Sequence, residues 1–126
     1  MGKRYLADSN AIIDFFKESL PVSGIEFMSA IEPLISIITF IELFANVNAS
    51  EEEIKELQNF CSAATVYNIN IEIAAVTIEL RKKYKIKLPD ALIAATALHY
   101  NLVLITRDVF DFKKIDGLQI ITPHLI

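Results

Sequence analysis

Residues 88–108 read LPDALIAATALHYNLVLITRD and contain an apolar helix that leads directly into a buried strand. Pro89 suits the first turn of a helix, and the pattern predicts a helix that ends near Asn101. Alanines at positions 91, 94, 95 and 97 would let this helix pack closely against a sheet. Residues 102–105 (LVLI) are uninterrupted aliphatic, as expected for a strand buried on both faces. A helix followed by such a strand is typical of a parallel α/β sheet.

The same alternation of strands and helices continues over the rest of the 126 residues. Further strands are predicted at residues 5–7, 34–38, 65–67 and 119–121. Further helices are predicted over residues 10–17, 25–31 and 39–47, after the capping box that begins at Ser50, and from Asn70 to about residue 84. Strands that alternate with helices imply parallel βαβ units with helices on both sheet faces. The sequence therefore predicts an α/β fold, a three-layer α/β/α arrangement around a central parallel sheet, with residues 1–126 as a single domain.

The composition fits a compact globule, with 53% hydrophobic and 22% charged residues. The single cysteine, Cys61, cannot form an internal disulfide, which suits a reducing cytosol. The N-terminus lacks the apolar core of a signal peptide, and no apolar run approaches the roughly 20 residues of a membrane span. A cytoplasmic protein without a membrane segment is predicted. The mean hydropathy of +0.41 is high for a monomer, which predicts an apolar patch that binds a partner, such as a second copy of the chain.

Charge is distributed unevenly, although the net charge of −4 argues against a general nucleic-acid coat protein. Residues 51–56 form an acidic stretch, and a basic stretch consists of Arg81, Lys82, Lys83, Lys85 and Lys87. A run of like charges is usually a solvated helix face. This basic run ends just before Asp90, however, so it could also guide a phosphate backbone towards that residue. Both interpretations remain open from the sequence.

Four acidic residues are expected to meet at one edge of the predicted sheet. Asp8 follows the first strand, and Asp108 follows the strand at residues 102–105. Glu42 is predicted in the first turn of the helix after the second strand, and Asp90 lies at the start of the helix that Pro89 opens. Parallel α/β sheets bind ligands beyond the carboxyl ends of their strands. The sequence therefore predicts a carboxylate cluster at that edge.

Each acid also has a purely structural interpretation. Asp8 could cap the first helix, Asp90 could complement a helix dipole, and Asp108 could hold a turn. Glu42 interrupts the apolar stretch at residues 37–44, where a helix face should pack inwards. A buried carboxylate needs a cation, a proton or strong donors, so Glu42 favours a functional cluster.

A divalent cation would relieve the mutual repulsion of such carboxylates. Hard oxygen ligands suit Mg²⁺ or Mn²⁺, whereas His99 and His124 lack the spacing of zinc ligands and are interpreted as structural or exposed. The predicted chemistry is phosphodiester hydrolysis, with Asp8 and Asp90 as principal ligands. Glu42 and Asp108 would bind directly or through water, complete a second site or orient the attacking water. Whether one or two ions act remains open.

Neighbouring polar residues could support this site. Ser9, Asn10 and Thr106 could hold the carboxylates or a phosphate oxygen through neutral hydrogen bonds. Arg107 is a candidate phosphate contact. Asp111 is either an auxiliary acid or the cap of a turn.

Four segments, in this order, resemble the PIN domain, and in particular VapC-type toxins of bacterial and archaeal toxin–antitoxin pairs. They are YLADSN at residues 5–10, ISIITFIEL at 35–43, LPDALIAATA at 88–97, and LITRD at 104–108 followed by Asp111-Phe112. The resemblance covers nearly the whole chain. It implies a PIN-like fold and a Mg²⁺- or Mn²⁺-dependent endoribonuclease that cuts RNA.

The resemblance also assigns residues and partners. The positions that match the four acidic positions of the family are Asp8, Glu42, Asp90 and Asp108. Many members of the family have Asn at the position that matches Asp108. Similar members often form homodimers and are held inactive by a cognate antitoxin. A dimer interface would explain the high mean hydropathy of this chain.

Three other classes of protein share some of these features. A PIN-like fold could serve as a non-catalytic RNA- or protein-binding module, but the acid set is intact. A receiver-type signalling domain should have an adjacent acidic pair after the first strand and a strand-borne lysine near the end, and the chain has neither. A haloacid-dehalogenase-like phosphatase needs Asp-x-Asp where this chain has Asp8-Ser9-Asn10.

Overall fold

The computed structural model describes residues 2–126 and contains one five-stranded sheet in which every neighbouring pair of strands is parallel. Its strands are β1 (Tyr5–Ala7), β2 (Leu34–Ser36), β3 (Thr65–Tyr67), β4 (Val103–Ile105) and β5 (Ile120–Ile121). Their order across the sheet is β3-β2-β1-β4-β5. All five predicted strands are present, although β2, β4 and β5 are shorter than predicted, and the predicted parallel sheet is confirmed.

Seven helices flank this sheet within residues 2–126. They are α1 (Ser9–Phe16), α2 (Val22–Ala30), α3 (Ile37–Phe44), α4 (Glu51–Ala63), α5 (Ile71–Lys83), α6 (Leu88–His99) and α7 (Val109–Phe112). The predicted capping box at α4 is present, since the Ser50 side chain accepts from the Glu53 backbone N–H and the Glu53 side chain accepts from that of Ser50. Asn70 caps α5 as predicted, with its Oδ1 2.9 Å from the Ile73 backbone nitrogen.

Both faces of the sheet are buried, which explains why its central strands are aliphatic runs. Leu6, Leu34 and Leu104 point into one apolar cluster with α5 and α6. Their neighbours in the strands, Ala7, Ile35 and Ile105, point into a second cluster with α1, α3 and α4. Successive side chains in a strand point to opposite faces, so each strand contributes to both clusters. The predicted three-layer α/β/α architecture is confirmed.

The second strand and the helix after it differ from the prediction. The β-branched run at residues 34–38 predicted a strand through Ile38, but β2 ends at Ser36 and α3 begins at Ile37. The reason is a helix cap, because the Ser36 side chain accepts a hydrogen bond from the backbone N–H of Ile38 at 3.1 Å. Glu42 therefore lies in the second turn of α3, and the prediction of the first turn was wrong.

Other differences are smaller. The helix predicted at residues 25–31 begins earlier, at Val22, directly after Pro21. The four-residue helix α7, which contains Asp111, was not predicted. Cys61 is buried in α4, and no helix within residues 2–126 has the length and apolar character needed to cross a bilayer.

The strand order places a topological switch point at the centre of the sheet. The chain proceeds from β1 to β2 and β3 on one side and then crosses to β4 and β5 on the other. The last residues of the two strands at the switch, Ala7 and Ile105, are paired. Asp8 and Thr106 follow them directly, so both lie where open α/β sheets bind ligands.

Candidate active site

Asp8 is the most buried acid at the switch point, with 4% of its surface exposed. Its Oδ1 accepts from the backbone N–H of Ser9 at 2.8 Å, which makes Asp8 the N-cap of α1. Its Oδ2 accepts from the Thr106 hydroxyl at 2.9 Å. Burial raises the pKa of Asp8 from 3.8 to about 6; the two hydrogen bonds oppose this shift, and the charges of Glu42 and Asp90 add to it. Asp8 thus caps α1, and the fold disfavours the ionised form of its carboxyl group.

Thr106 and Asn10 connect Asp8 to Asp108. The Thr106 hydroxyl accepts from the backbone N–H of Asp108 at 3.0 Å while it donates to Asp8. The Asn10 amide donates to Asp108 Oδ2 at 3.0 Å and to Asp8 Oδ2 at 3.5 Å. Asn10 Oδ1 in turn accepts from the backbone N–H of Arg107 at 3.0 Å. Two neutral side chains therefore hold both carboxylates across the switch point.

Glu42 joins this cluster from α3 through Ser9. The Ser9 hydroxyl donates to Glu42 Oε1 at 3.1 Å. The sequence predicted a buried carboxylate here, and that prediction was wrong, because Glu42 and its neighbour Ile41 both lie on an exposed part of the helix. Desolvation nevertheless raises the pKa of Glu42; the Ser9 hydrogen bond opposes the shift and the charge of Asp90 adds to it.

Asp90 approaches the cluster from the first turn of α6. Desolvation raises its pKa, and the charges of Asp111 and Asp108 raise it further, while Lys87 and Lys114 oppose the shift. Asp111 lies in α7, so the structure brings this predicted auxiliary acid to the Asp90 side of the cluster.

The predicted acids lie close enough for their charges to act on one another. The charge of Asp90 raises the pKa of both Asp8 and Glu42, and the charge of Asp108 raises the pKa of Asp90. The candidate ligand atoms are all carboxylate oxygens, and a bound divalent cation would lower the raised pKa values of Asp8, Glu42 and Asp90. The residues therefore fit Mg²⁺ or Mn²⁺. Within residues 2–126 no three acidic, histidine or cysteine side chains are close enough to ligate a common ion as they stand. Ligation would therefore require the carboxylates to close in or to act through water, which Mg²⁺ tends to retain.

A basic cleft of about 390 Å³ adjoins Asp90 and Asp111. Its other lining residues are Arg81, Lys85, Ile86, Lys87 and Lys114. Three of the predicted basic residues therefore lie beside the acids. Lys82 does not line this cleft, and its Nζ is 3.7 Å from Glu79. Arg107 lies beside the carboxylates instead, with its Nε 4.0 Å from Asp108 Oδ1.

Three residues near the site were not among those predicted for it. Lys114 was missed because it lies outside the basic run, although it follows Asp111 by one helical turn. Asp14 and His124 are joined by a 2.7 Å contact between residues 110 positions apart, which no local pattern signals. His124 was expected to be structural or exposed, whereas Asp14 was not considered.

The fold and the cluster together define a parallel α/β protein with carboxylates at its topological switch point. Residues 5–118 match the family model described as PIN domain, so the chain belongs to the PIN-domain family. A comparison with curated proteins found no match.

Solved structures resemble the chain over nearly its whole length. A chain of a toxin–antitoxin complex from Klebsiella pneumoniae is 36% identical, with a TM-score of 0.77 and coverage of 94% of this chain and 97% of that chain. VapBC-1 from nontypeable Haemophilus influenzae gives 29% identity, a TM-score of 0.79 and the same coverage. DNA-bound VapBC from Salmonella typhimurium gives 25% identity, a TM-score of 0.77 and coverage of 97% and 99%.

Proposed function

We propose that the chain is a Mg²⁺- or Mn²⁺-dependent endoribonuclease and the toxin of a toxin–antitoxin pair. The observation that carries the ribonuclease proposal is a carboxylate cluster at the switch point of the sheet with a basic cleft beside it. Carboxylates alone would repel a phosphodiester, so a site for RNA needs both a cation and flanking positive charge. The toxin role is supported by the similarity to proteins solved in toxin–antitoxin and VapBC complexes.

In this proposal Asp8 and Asp90 are the principal ligands, with Glu42 and Asp108 binding directly or through water. A bound divalent cation supplies a water of lowered pKa and neutralises charge on the phosphodiester. Thr106 and the Ser9 backbone N–H fix the Asp8 carboxylate. The Ser9 hydroxyl orients Glu42, whose carboxylate then faces water at the cluster.

RNA would reach the cluster along the basic cleft. Arg81, Lys85 and Lys87 would bind backbone phosphates on the Asp90 side, as charged contacts that fix the strand without reading its bases. Arg107 would contact a phosphate on the Asp108 side. Lys82 remains a weaker candidate, because its ammonium group faces Glu79.

The proposed partners are a cognate antitoxin and a second copy of the chain in a cytoplasmic homodimer. Several large apolar side chains are exposed and could be covered by such partners: Val22, Ile41, Val47, Ile71, Ile78 and Phe110. Exposed apolar surface of this kind is often an interaction site.

The direct test is cleavage of a mixed panel of RNAs with Mn²⁺, Mg²⁺ or EDTA. We expect cutting with either metal and none with EDTA, because the carboxylates need a cation to bring a phosphodiester to the cluster. Gel analysis of the products measures this. Cleavage that persists unchanged in EDTA would contradict the proposal, and RNA binding without cleavage would favour a non-catalytic PIN-like module.

Replacing Lys114 with Gln tests whether the cleft carries RNA. We expect about three- to tenfold weaker binding of single-stranded RNA, and a salt dependence of log Kd that is shallower by about 0.7, as for one lost phosphate contact. Fluorescence anisotropy at several salt concentrations measures both. Lys113→Gln is the matched control, because Lys113 is the adjacent residue but lies over the Phe110 ring outside the cleft. Equal effects of the two substitutions would show that only net charge matters.

A further inference from the structure

The C-terminal segment at residues 122–126 is fixed against α2. Gly24 is buried in α2, and a Cβ atom there would collide with the backbone carbonyl of Pro123, so the two backbones approach as closely as a glycine allows. The Ser23 hydroxyl also donates to the backbone carbonyl of Ile126 at 2.5 Å. These contacts hold His124, which lies between them in sequence, at a defined place.

His124 is directed at Asp14 on α1. Its Nε2 lies 2.7 Å from Asp14 Oδ2, and its Nδ1 lies 3.3 Å from the Thr122 hydroxyl. A carboxylate only accepts hydrogen bonds, so Nε2 is the donor, and in the neutral ring Nδ1 then accepts from Thr122. The Asp14 side chain is 13% exposed, so its carboxylate is held mainly by protein groups.

The same oxygen of Asp14 also accepts from Arg107. Arg107 Nη1 donates to Asp14 Oδ2 at 3.1 Å, while its backbone N–H is held by Asn10. The guanidinium group therefore lies between Asp14 and Asp108, and the Arg107 side chain remains 55% exposed. A guanidinium group has five N–H donors, and the hydrogen bond to Asp14 uses only one of them, on Nη1.

We propose that Asp14 is a positioning residue, which holds the Arg107 guanidinium group beside the carboxylate cluster so that its exposed face binds a backbone phosphate of RNA. The C-terminal segment takes part through His124, whose Nε2 holds the same Asp14 oxygen that accepts from Arg107. This inference rests on the proposed ribonuclease function. It adds a link from the C-terminal segment to the site, through Asp14, that is distinct from the metal ligands.

Positioning and charge predict opposite effects of losing Asp14. A free arginine side chain samples many rotamers and loses that freedom when it binds a phosphate, and holding it in place before RNA binds avoids part of this loss. As a negative charge near the site, however, Asp14 repels RNA. If Asp14 acted only through its charge, its removal would tighten RNA binding. If it positions Arg107, its removal weakens binding.

The test is the steady-state cleavage of a short RNA by Asp14→Asn. We expect KM to rise about five- to tenfold while kcat, corrected for the folded fraction, changes less than about threefold. An unchanged KM with a smaller folded fraction would show a merely structural role. A lower KM would show that charge alone matters. Either result overturns the proposal.

The double variant Asp14→Asn with Arg107→Gln separates positioning from an independent effect. Because Asp14 is proposed to act through Arg107, we expect the double variant to have the same KM as Arg107→Gln alone. Additive effects would contradict the proposal. His124→Ala should raise KM in the same direction by about two- to fourfold, whereas the control Leu125→Ala, at a side chain 85% exposed in the same segment, should not. If Asp14→Asn does not fold, His124→Ala decides by the same comparison.

Failure of the proposed function can be told apart from failure of this inference. Affinity for single-stranded RNA, measured by anisotropy in EDTA, does not require cleavage. If the unaltered protein does not cut RNA, the ribonuclease proposal fails. The role of Asp14 is then tested by the affinities for single-stranded RNA alone. Weaker binding by Asp14→Asn than by the unaltered chain then supports the positioning role, and equal or tighter binding overturns it.

Discussion

Metal-dependent RNA cleavage is expected to fall at least roughly a hundredfold when Asp8 or Asp90 is replaced by Asn. An amide has nearly the shape of a carboxylate but lacks its negative charge, so it weakens a divalent-cation site while leaving the packing largely intact. Asp8 is buried between Ser9 and Thr106, and an Asn side chain can accept only one of those two hydrogen bonds well. Initial rates at saturating Mn²⁺, with the folded fraction checked by circular dichroism, measure the effect.

Asp116→Asn provides the matched control, because Asp116 is an exposed acid whose ion pair is with Lys83 rather than with the cluster. Exposed pairs of this kind contribute little to stability, and we expect cleavage to be unchanged. Asp108→Asn should lose less activity than Asp8→Asn, since Asp108 is exposed whereas Asp8 is buried. Full activity of either the Asp8 or the Asp90 variant would remove that residue from the mechanism.

The fold could be predicted from the sequence because its signals are local and repeated. Short aliphatic runs alternate with helical patterns, and a parallel sheet buried on both faces is the arrangement that satisfies them. The boundary between β2 and α3 was misjudged because residues 34–38 are all compatible with a strand by side chain alone. The Ser36 cap, which ends the strand, competes with that preference and prevails.

The meeting of the acids was predictable for a geometric reason. The carboxyl ends of parallel strands share one edge, so Asp8 and Asp108 had to be neighbours once β1 and β4 were adjacent. The exposure of Glu42 was not predictable, because an apolar stretch does not reveal which side of its helix faces the sheet. The structure exposes Ile41 and Glu42 together and turns Thr39 and Leu43 inwards.

The contacts of Asp14 could not be predicted from the sequence, for a different reason. It is joined to Arg107 and His124, which are 93 and 110 positions away. Hydrogen bonds between such distant residues leave no periodicity, and a single acid on an amphipathic helix is most simply read as a solvated residue. The docking of the C-terminal segment against Gly24 is what brings His124 to Asp14.

The metal-free protein is expected to lose stability as the pH rises from about 4 to about 7. The pKa of Asp8 is 3.8 in the unfolded chain and about 6 in the folded protein, so the folded state binds the proton more tightly between these values. Stability from this group is therefore fully present below pH 3.8 and is lost as the pH rises through 6, by about 3 kcal/mol in all. The raised pKa values of Glu42 and Asp90 act in the same direction.

Urea unfolding of the unaltered chain and of Asp8→Asn, from pH 4 to pH 7.5 in EDTA, isolates this contribution, because the difference between the two proteins removes the titration of all other groups. We expect Asp8→Asn to become the more stable protein as the pH approaches 7, since its amide never ionises. Mg²⁺ at about a hundred times its Kd should then stabilise the unaltered protein by roughly 2.7 kcal/mol at pH 7 and Asp8→Asn much less. The ionised Asp8 carboxylate would thus destabilise the fold when the site is empty and stabilise it when a cation is bound. If the difference in the free energy of unfolding between the two proteins stays constant with pH, Asp8 ionises in the folded state as easily as in the unfolded chain. Burial would then impose no electrostatic cost on its carboxylate, and a metal would have none to relieve.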